Sequence, residues 1–309
     1  MDKRYRDTPE NFSEIQSYVI TDKEQIVRNI ILSEKCYFYD TCAIRNHMQC
    51  AGRIRLFEYL KKNSGIVIIT RCILMELCSD DGCLWEEQVE YIKELSEHKI
   101  PVLVLYEEDI FDIMRAFCAD ISRINSWLSF AVRCAKGKTG KMEAALRADA
   151  KLREELIANP GSKDSALAKK FFSEVRSLKT SKDNMGEELL AVCVHWLSHM
   201  RSLNDYKYVI LTDDKKAVPT MGKVIKNTRE HLGSKSVAVV TTAKLCELMY
   251  KAGVVEDASQ IIALFSEEAR GKDLKVYCSE EFELYPTEKG MSVRDFSQKV
   301  IEEKMKVYF

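Results

Sequence analysis

No apolar run in the 309 residues approaches the roughly 18 that a membrane helix needs. The opening segment MDKRYRDTPENFSE is polar and has no apolar signal core, so a cytoplasmic protein is expected. Charge of one sign is also missing: 47 Lys and Arg stand against 48 Asp and Glu, a formal net charge of −1. Global attraction to nucleic acid or to an anionic membrane is therefore not implied. Eleven cysteines contain no C-x-x-C pair, which leaves zinc ribbons and thioredoxin-like motifs unsupported. Reduced thiols are expected, several acting as small hydrophobes, as Cys193 does in LLAVCVHWL. Internal repeats and low-complexity segments are absent as well.

What remains is a globular composition, 46% apolar and 31% charged, long enough for one large domain or two ordinary ones. Short apolar runs alternate with helical periodicity. KCYFYD (35–40), GIVIIT (65–70), PVLVLY (101–106), YKYVILTDD (206–214) and SVAVVTT (236–242) read as strands. RIRLFEYLKKN, RCILMEL, LWEEQVEYIKELSEH, GEELLAVCVHWLSHM and AKLCELMYKAG read as helices, and a long helical tract spans about 109–178. Such alternation predicts an α/β fold with a doubly wound parallel sheet. Residues 1–253 form the expected domain, with the tract at about 109–180 as a helical insertion. Residues 254–309 break the rhythm, with a hairpin or irregular arm and a helix begun by Ser292.

The strand ends carry acids. YFYDTCAIRN places Asp40 directly behind an aromatic strand, where it serves either as a helix N-cap or as a ligand at a strand's carboxyl end. Glu76 follows the second strand in RCILMEL, on an apolar helix face where an unpaired carboxylate is costly. VILTDD supplies Thr212, Asp213 and Asp214. DNMGEELLAV opens a helix with Asp183, Glu187 and Glu188, and first-turn acids there are also explained by the helix dipole alone. A parallel sheet brings these stations to one rim. Carboxylates crowded together raise one another's pKa and stay ionised only if a cation neutralises them. An all-oxygen set suits Mg²⁺ or Mn²⁺ rather than zinc, and such ions support displacement at a phosphodiester.

In order and setting, YFYDTCAI, TRCILMEL, GEELLAVCVHWL and YVILTDDKKA resemble the four acidic motifs of PIN-domain ribonucleases, over roughly residues 35–245. The resemblance implies a metal-dependent endoribonuclease that uses Mg²⁺ or Mn²⁺ and cuts single-stranded or flexible RNA. Asp40, Glu76, Glu187 and Asp214 would hold the metal, with Asp213 beside them and Thr212 steadying the set. Two departures are visible: the third position offers Glu187, Glu188 or Asp183, and the spacing from Glu76 to Glu187 is lengthened by the insertion. The resemblance leaves open a homodimer and an antitoxin or other regulatory partner.

The tract 133–182 carries thirteen Lys or Arg and six acids, a local balance of +7 that leaves −8 elsewhere. Such a run is either a solvated helix face or an electrostatic footprint for RNA, with Lys136, Lys138, Lys141, Lys169 and Lys170 as the candidate contacts. AKGKTGKM (135–142) imitates a P-loop but lacks its first glycine and its Ser/Thr. His195 and His199 have metal spacing without the glutamate of H-E-x-x-H. Two rival functions are a haloacid-dehalogenase-like phosphatase, which wants an acid where Cys42 stands, and a degenerate domain that binds RNA or protein without cutting.

Overall fold

A computed structural model describes residues 8–135, 140–158, 161–178, 185–200, 205–214, 218–233, 235–280, 283 and 285–309. The five apolar runs form β1 (Lys35–Tyr39), β2 (Gly65–Thr70), β3 (Val102–Leu105), β4 (Tyr208–Leu211) and β5 (Val237–Val240). All pair in parallel, in the order β3-β2-β1-β4-β5. The chain thus winds outward from β1 to β3, then returns to lay β4 on the other side of β1. This reversal of direction is a topological switch point, and it leaves a crevice outside the carboxyl ends of β1 and β4.

Both sheet faces are covered. Tyr37, Tyr39, Val67 and Ile69 enter one apolar core, whereas Cys36, Phe38, Ile66 and Ile68 enter the other. This period-2 split explains why the strands read as continuous apolar runs rather than alternating ones. In chain order the helices begin with α1 (Lys23–Leu32), α2 (Thr41–Gln49), α3 (Arg53–Lys62), α4 (Arg71–Leu77), α5 (Glu86–Glu97) and α6 (Ile110–Arg115). The insertion continues with α7 (Ser122–Ala135), α8 (Lys141–Ala148), α9 (Ala150–Ala158) and α10 (Ala166–Ser177). Next come α11 (Met185–Leu197), α12 (Val218–Leu232), α13 (Thr242–Lys251), α14 (Ala258–Ala263), α15 (Glu267–Arg270) and α16 (Val293–Ile301).

The insertion is welded to the sheet rather than appended to it. Phe171, Phe172 and Trp196 are fully buried in the same core as Phe38 and Ile68. The Trp196 indole satisfies its N–H on the Ile124 carbonyl at 2.9 Å, as a buried indole requires.

Residues 254–309 fold back on the opposite face. β6 (Leu274–Glu280), β7 (Thr287–Met291) and β8 (Met305–Val307) form an antiparallel sheet in the order β7-β6-β8. Ser292 caps α16 by accepting from the Asp295 N–H at 3.0 Å. Val276, Cys278, Phe296 and Val307 then join the core that holds Tyr37 and Val67. Lys244 of α13 donates to the Val307 carbonyl at 2.6 Å, and the Tyr250 hydroxyl to that of Ile301 at 3.0 Å. All eleven cysteines are free thiols. Among the described residues no helix is long and apolar enough to cross a membrane.

Candidate metal centre

The switch-point crevice opens into a cleft of about 1550 Å³, whose lining includes Asp40, Glu76, Glu187, Asp213 and Asp214. They arrive from four places in the chain, as expected when strand ends and helix starts share one rim. Asp40 follows β1, Glu76 lies on α4, Glu187 on the first turn of α11, and Asp214 beyond β4.

Asp40 is the N-cap of α2, and its side chain also lines the cleft. Its Oδ1 accepts from the Thr41 N–H at 2.7 Å, at the start of α2. Its Oδ2 accepts from the Thr212 hydroxyl at 2.6 Å and from the Cys42 thiol at 2.9 Å. The side chain is 2% exposed. Burial raises its pKa, the bonds from Cys42, Thr212 and Thr41 pull it back, and the charge of Asp214 adds to the rise. Thr212 also accepts from the Asp214 N–H at 3.1 Å, so one hydroxyl ties the first acid to the last.

Glu76 accepts from the Thr41 hydroxyl at 2.8 Å. Its carboxylate rests against Gly186, where a Cβ would stand only 2.5 Å from Oε2. No side chain larger than hydrogen fits there without displacing Glu76. The glycine of MGEELL is therefore part of the site.

The two glutamates that follow diverge. Glu188 is 1% exposed and turns into the insertion, where its Oε2 accepts from the Met142 N–H in the first turn of α8 at 3.1 Å. That helix has Gly140 at its cap position and no capping side chain of its own. A Cβ on Gly140 would overlap the Glu188 carboxylate, so Glu188 replaces the missing cap. Glu187 faces the cleft instead, and its buried Oε2 has no hydrogen-bond partner. Burial pushes its pKa up to about 8, and the charges of Asp40, Glu76 and Asp214 all contribute. The third candidate, Asp183, lies outside the described residues.

Asp213 is occupied differently from its neighbour. It accepts from the Thr242 N–H at 2.7 Å, the Thr242 hydroxyl at 2.6 Å and the Asn46 amide at 3.3 Å. These bonds fix the start of α13 against α2. The His47 ring, fully buried beside them, is lowered to about 4 by desolvation and stays neutral.

Three arginines line the cleft: Arg45 on α2, Arg71 on α4 and Arg176 on α10. Arg71 donates to both oxygens of Glu108, at 2.7 and 2.9 Å. Arg176, from α10 of the insertion, donates to Glu107 at 2.8 Å and to Glu108 at 3.1 Å. Burial pushes Glu107 up to about 7 against the pull of Arg71. Arg71 also stacks over Tyr106, 4.8 Å from the ring centroid. Of the expected RNA contacts, Lys136 and Lys138 lie outside the described residues, and Lys141, Lys169 and Lys170 are not among the cleft-lining residues. Lys170 is paired with Asp149 at 3.2 Å and with Glu155 at 3.5 Å. His195 is fully buried with Phe130 against its ring, and burial lowers it to about 3.

The residues missed in the sequence are Thr41, Cys42, Gly186, Arg71 and Arg176. Thr41 and Cys42 adjoin Asp40 and were legible as donors; Arg176 could be placed only once the insertion was folded. Among the described residues, no three His, Cys, Asp or Glu side chains are arranged as they stand to hold an ion. Neutral hydroxyl, thiol and amide donors occupy Asp40 and Glu76 instead. The donor set nonetheless fits a hard divalent cation, because it is all oxygen and includes an orphaned carboxylate oxygen inside a ring of like charges. No family model matches the chain, and neither a curated protein nor a solved structure does.

Proposed function

We propose that the chain is a Mg²⁺- or Mn²⁺-dependent ribonuclease of the PIN type, acting at the switch-point cleft. The observation that carries this reading is the buried Glu187 Oε2, which has no donor and is surrounded by Asp40, Glu76 and Asp214. Carboxylates crowded in this way are costly to keep ionised together, and a shared outside cation is the simplest means of doing so.

Asp40, Glu76, Glu187 and Asp214 would hold the ion. Bound there, it supplies Lewis acidity toward a phosphodiester and a means of activating water for in-line displacement. The chain's own residues do the rest. Thr212 holds the Asp40 Oδ2 and the Asp214 backbone in one register. Thr41 restrains Glu76 until a ligand competes for it. Asp213 keeps α13 seated rather than binding the ion, because its oxygens are already committed to Thr242 and Asn46. The Cys42 thiol, bonded to the oxygen a phosphoryl-aspartate mechanism would use, weighs against the phosphatase alternative.

The test is incubation of the purified chain with a mixed RNA pool and Mn²⁺, followed by mapping of the ends. Cleavage leaving 5′-phosphate and 3′-hydroxyl ends is expected, and Asp40→Asn should lower it by at least about 100-fold. Undiminished cleavage by that variant removes Asp40 from the mechanism. RNA binding without cleavage identifies a degenerate binding module.

A further inference from the structure

The cleft has a second wall that the carboxylates do not explain. It comes from residues 254–309 and carries Lys272, Lys275, Tyr277 and Phe309. On β6 the inward residues Val276 and Cys278 fill the core, while Lys275 and Tyr277 stand on the other face. Tyr277 therefore is not needed for packing beneath the strand. Its ring lies nearly parallel to that of Phe309, with centroids 4.8 Å apart and planes 13° apart. Both rings are half-buried, so each keeps part of its surface in the cleft.

We propose that Tyr277 and Phe309 form a stacking platform for one base of a single-stranded nucleic acid, whose backbone passes Lys272 and Lys275 on its way to the carboxylate floor. The direction of the strand rests on the nuclease reading above; the platform itself rests on the wall. A flat, half-buried aromatic pair matches the π-face that every base presents and needs no sequence code. Among the described residues, the lysines beside it pair with exposed acids, Lys272 with Glu268 and Lys275 with Glu288 at 3.9 Å. Such pairs are weak and readily exchanged for phosphate. The arrangement also answers an electrostatic difficulty. An acidic floor repels a polyanion, so grip has to come from the neutral bases and from cations on the walls.

The experiment measures binding of a labelled single strand of about 12 nucleotides, without divalent ions so that nothing is cut. A strand of equal length with abasic sugars is run beside it, and RNA and DNA versions separate the two sources of the base. Wild type should prefer the base-bearing strand. Tyr277→Ala, and independently Phe309→Ala, should weaken that strand by about 5- to 150-fold and leave the abasic one unchanged. Tyr277→Trp should retain binding and show fluorescence quenching on addition of the strand, absent in the wild type. Equal losses on both strands, no loss in either alanine variant, or no preference for bases in the wild type would overturn the platform. Tyr277-dependent binding without Mn²⁺-dependent cleavage keeps the platform and discards the nuclease. Cleavage with unaltered binding by both alanine variants does the reverse.

Discussion

At the scale of single residues, adjacent side chains of the same type do opposite work. Glu187 and Glu188 are neighbours on one helical turn, yet one faces three carboxylates and the other caps a helix. In the ligand-free chain, Glu187 is a cost. Its folded pKa of about 8 lies above its ordinary value of 4.5. The protonated form therefore favours folding, and this advantage is lost as pH rises from about 4.5 through about 8. Glu187→Gln should flatten that slope and make the metal-free protein more stable at pH 8 by about 1–3 kcal/mol. Urea denaturation at pH 5 and pH 8 checks the sign; a destabilised variant at pH 8 would contradict it. Gly186→Ala is a complementary test, because the new methyl strikes the Glu76 carboxylate. Mn²⁺-dependent cleavage should fall by about 10- to 100-fold, with all four acids still present. Which glutamate faced the cleft could not be read from the sequence, since neighbours at 100° on a helix differ only in what packs against them.

At the scale of elements, the strands were the most legible part of the chain. Continuous apolar runs flanked by Gly65, Pro101 or acids announce buried parallel strands, and the five found are the five expected. The insertion was visible as a helical tract, but its attachment was not. Arg176 of α10 is the tie, bonded to Glu107 and Glu108 at the end of β3. Its side chain is 16% exposed and Glu107 is fully buried, so the pair is far from solvent screening. Arg176→Ala should destabilise the chain by about 3 kcal/mol by leaving a buried acid short of a partner. A thermal melt measures it, and Arg176→Lys should recover only part, since lysine lacks the planar fork. An unchanged melting temperature would mean that α10 is held by Phe171 and Phe172 alone. The three-stranded sheet of residues 254–309 was less legible than the parallel one. The hairpin that its sequence allows is β6 with β7, but its strands are short and half-polar, and no local pattern places β8 on the other side of β6.

At the scale of the whole molecule, three parts of the chain surround one cleft. The parallel sheet supplies the acids, the insertion supplies Arg176, and the last 56 residues supply the aromatic wall. The basic balance of the insertion allows either a solvated face or an RNA footprint; in the fold, Lys170 pairs with Asp149 and Glu155, and Arg176 reaches the cleft. Net charge along a segment does not reveal which cations the tertiary structure consumes. The acids are the central issue, because their convergence is costly unless a cation is shared. Calorimetric titration of the metal-free chain with Mn²⁺ tests this most directly, with Asp40→Asn measured in parallel. A saturable heat in the wild type that vanishes or weakens by at least about 10-fold in the variant is the predicted result. Identical isotherms for the two proteins, or no saturable heat in the wild type, would contradict it.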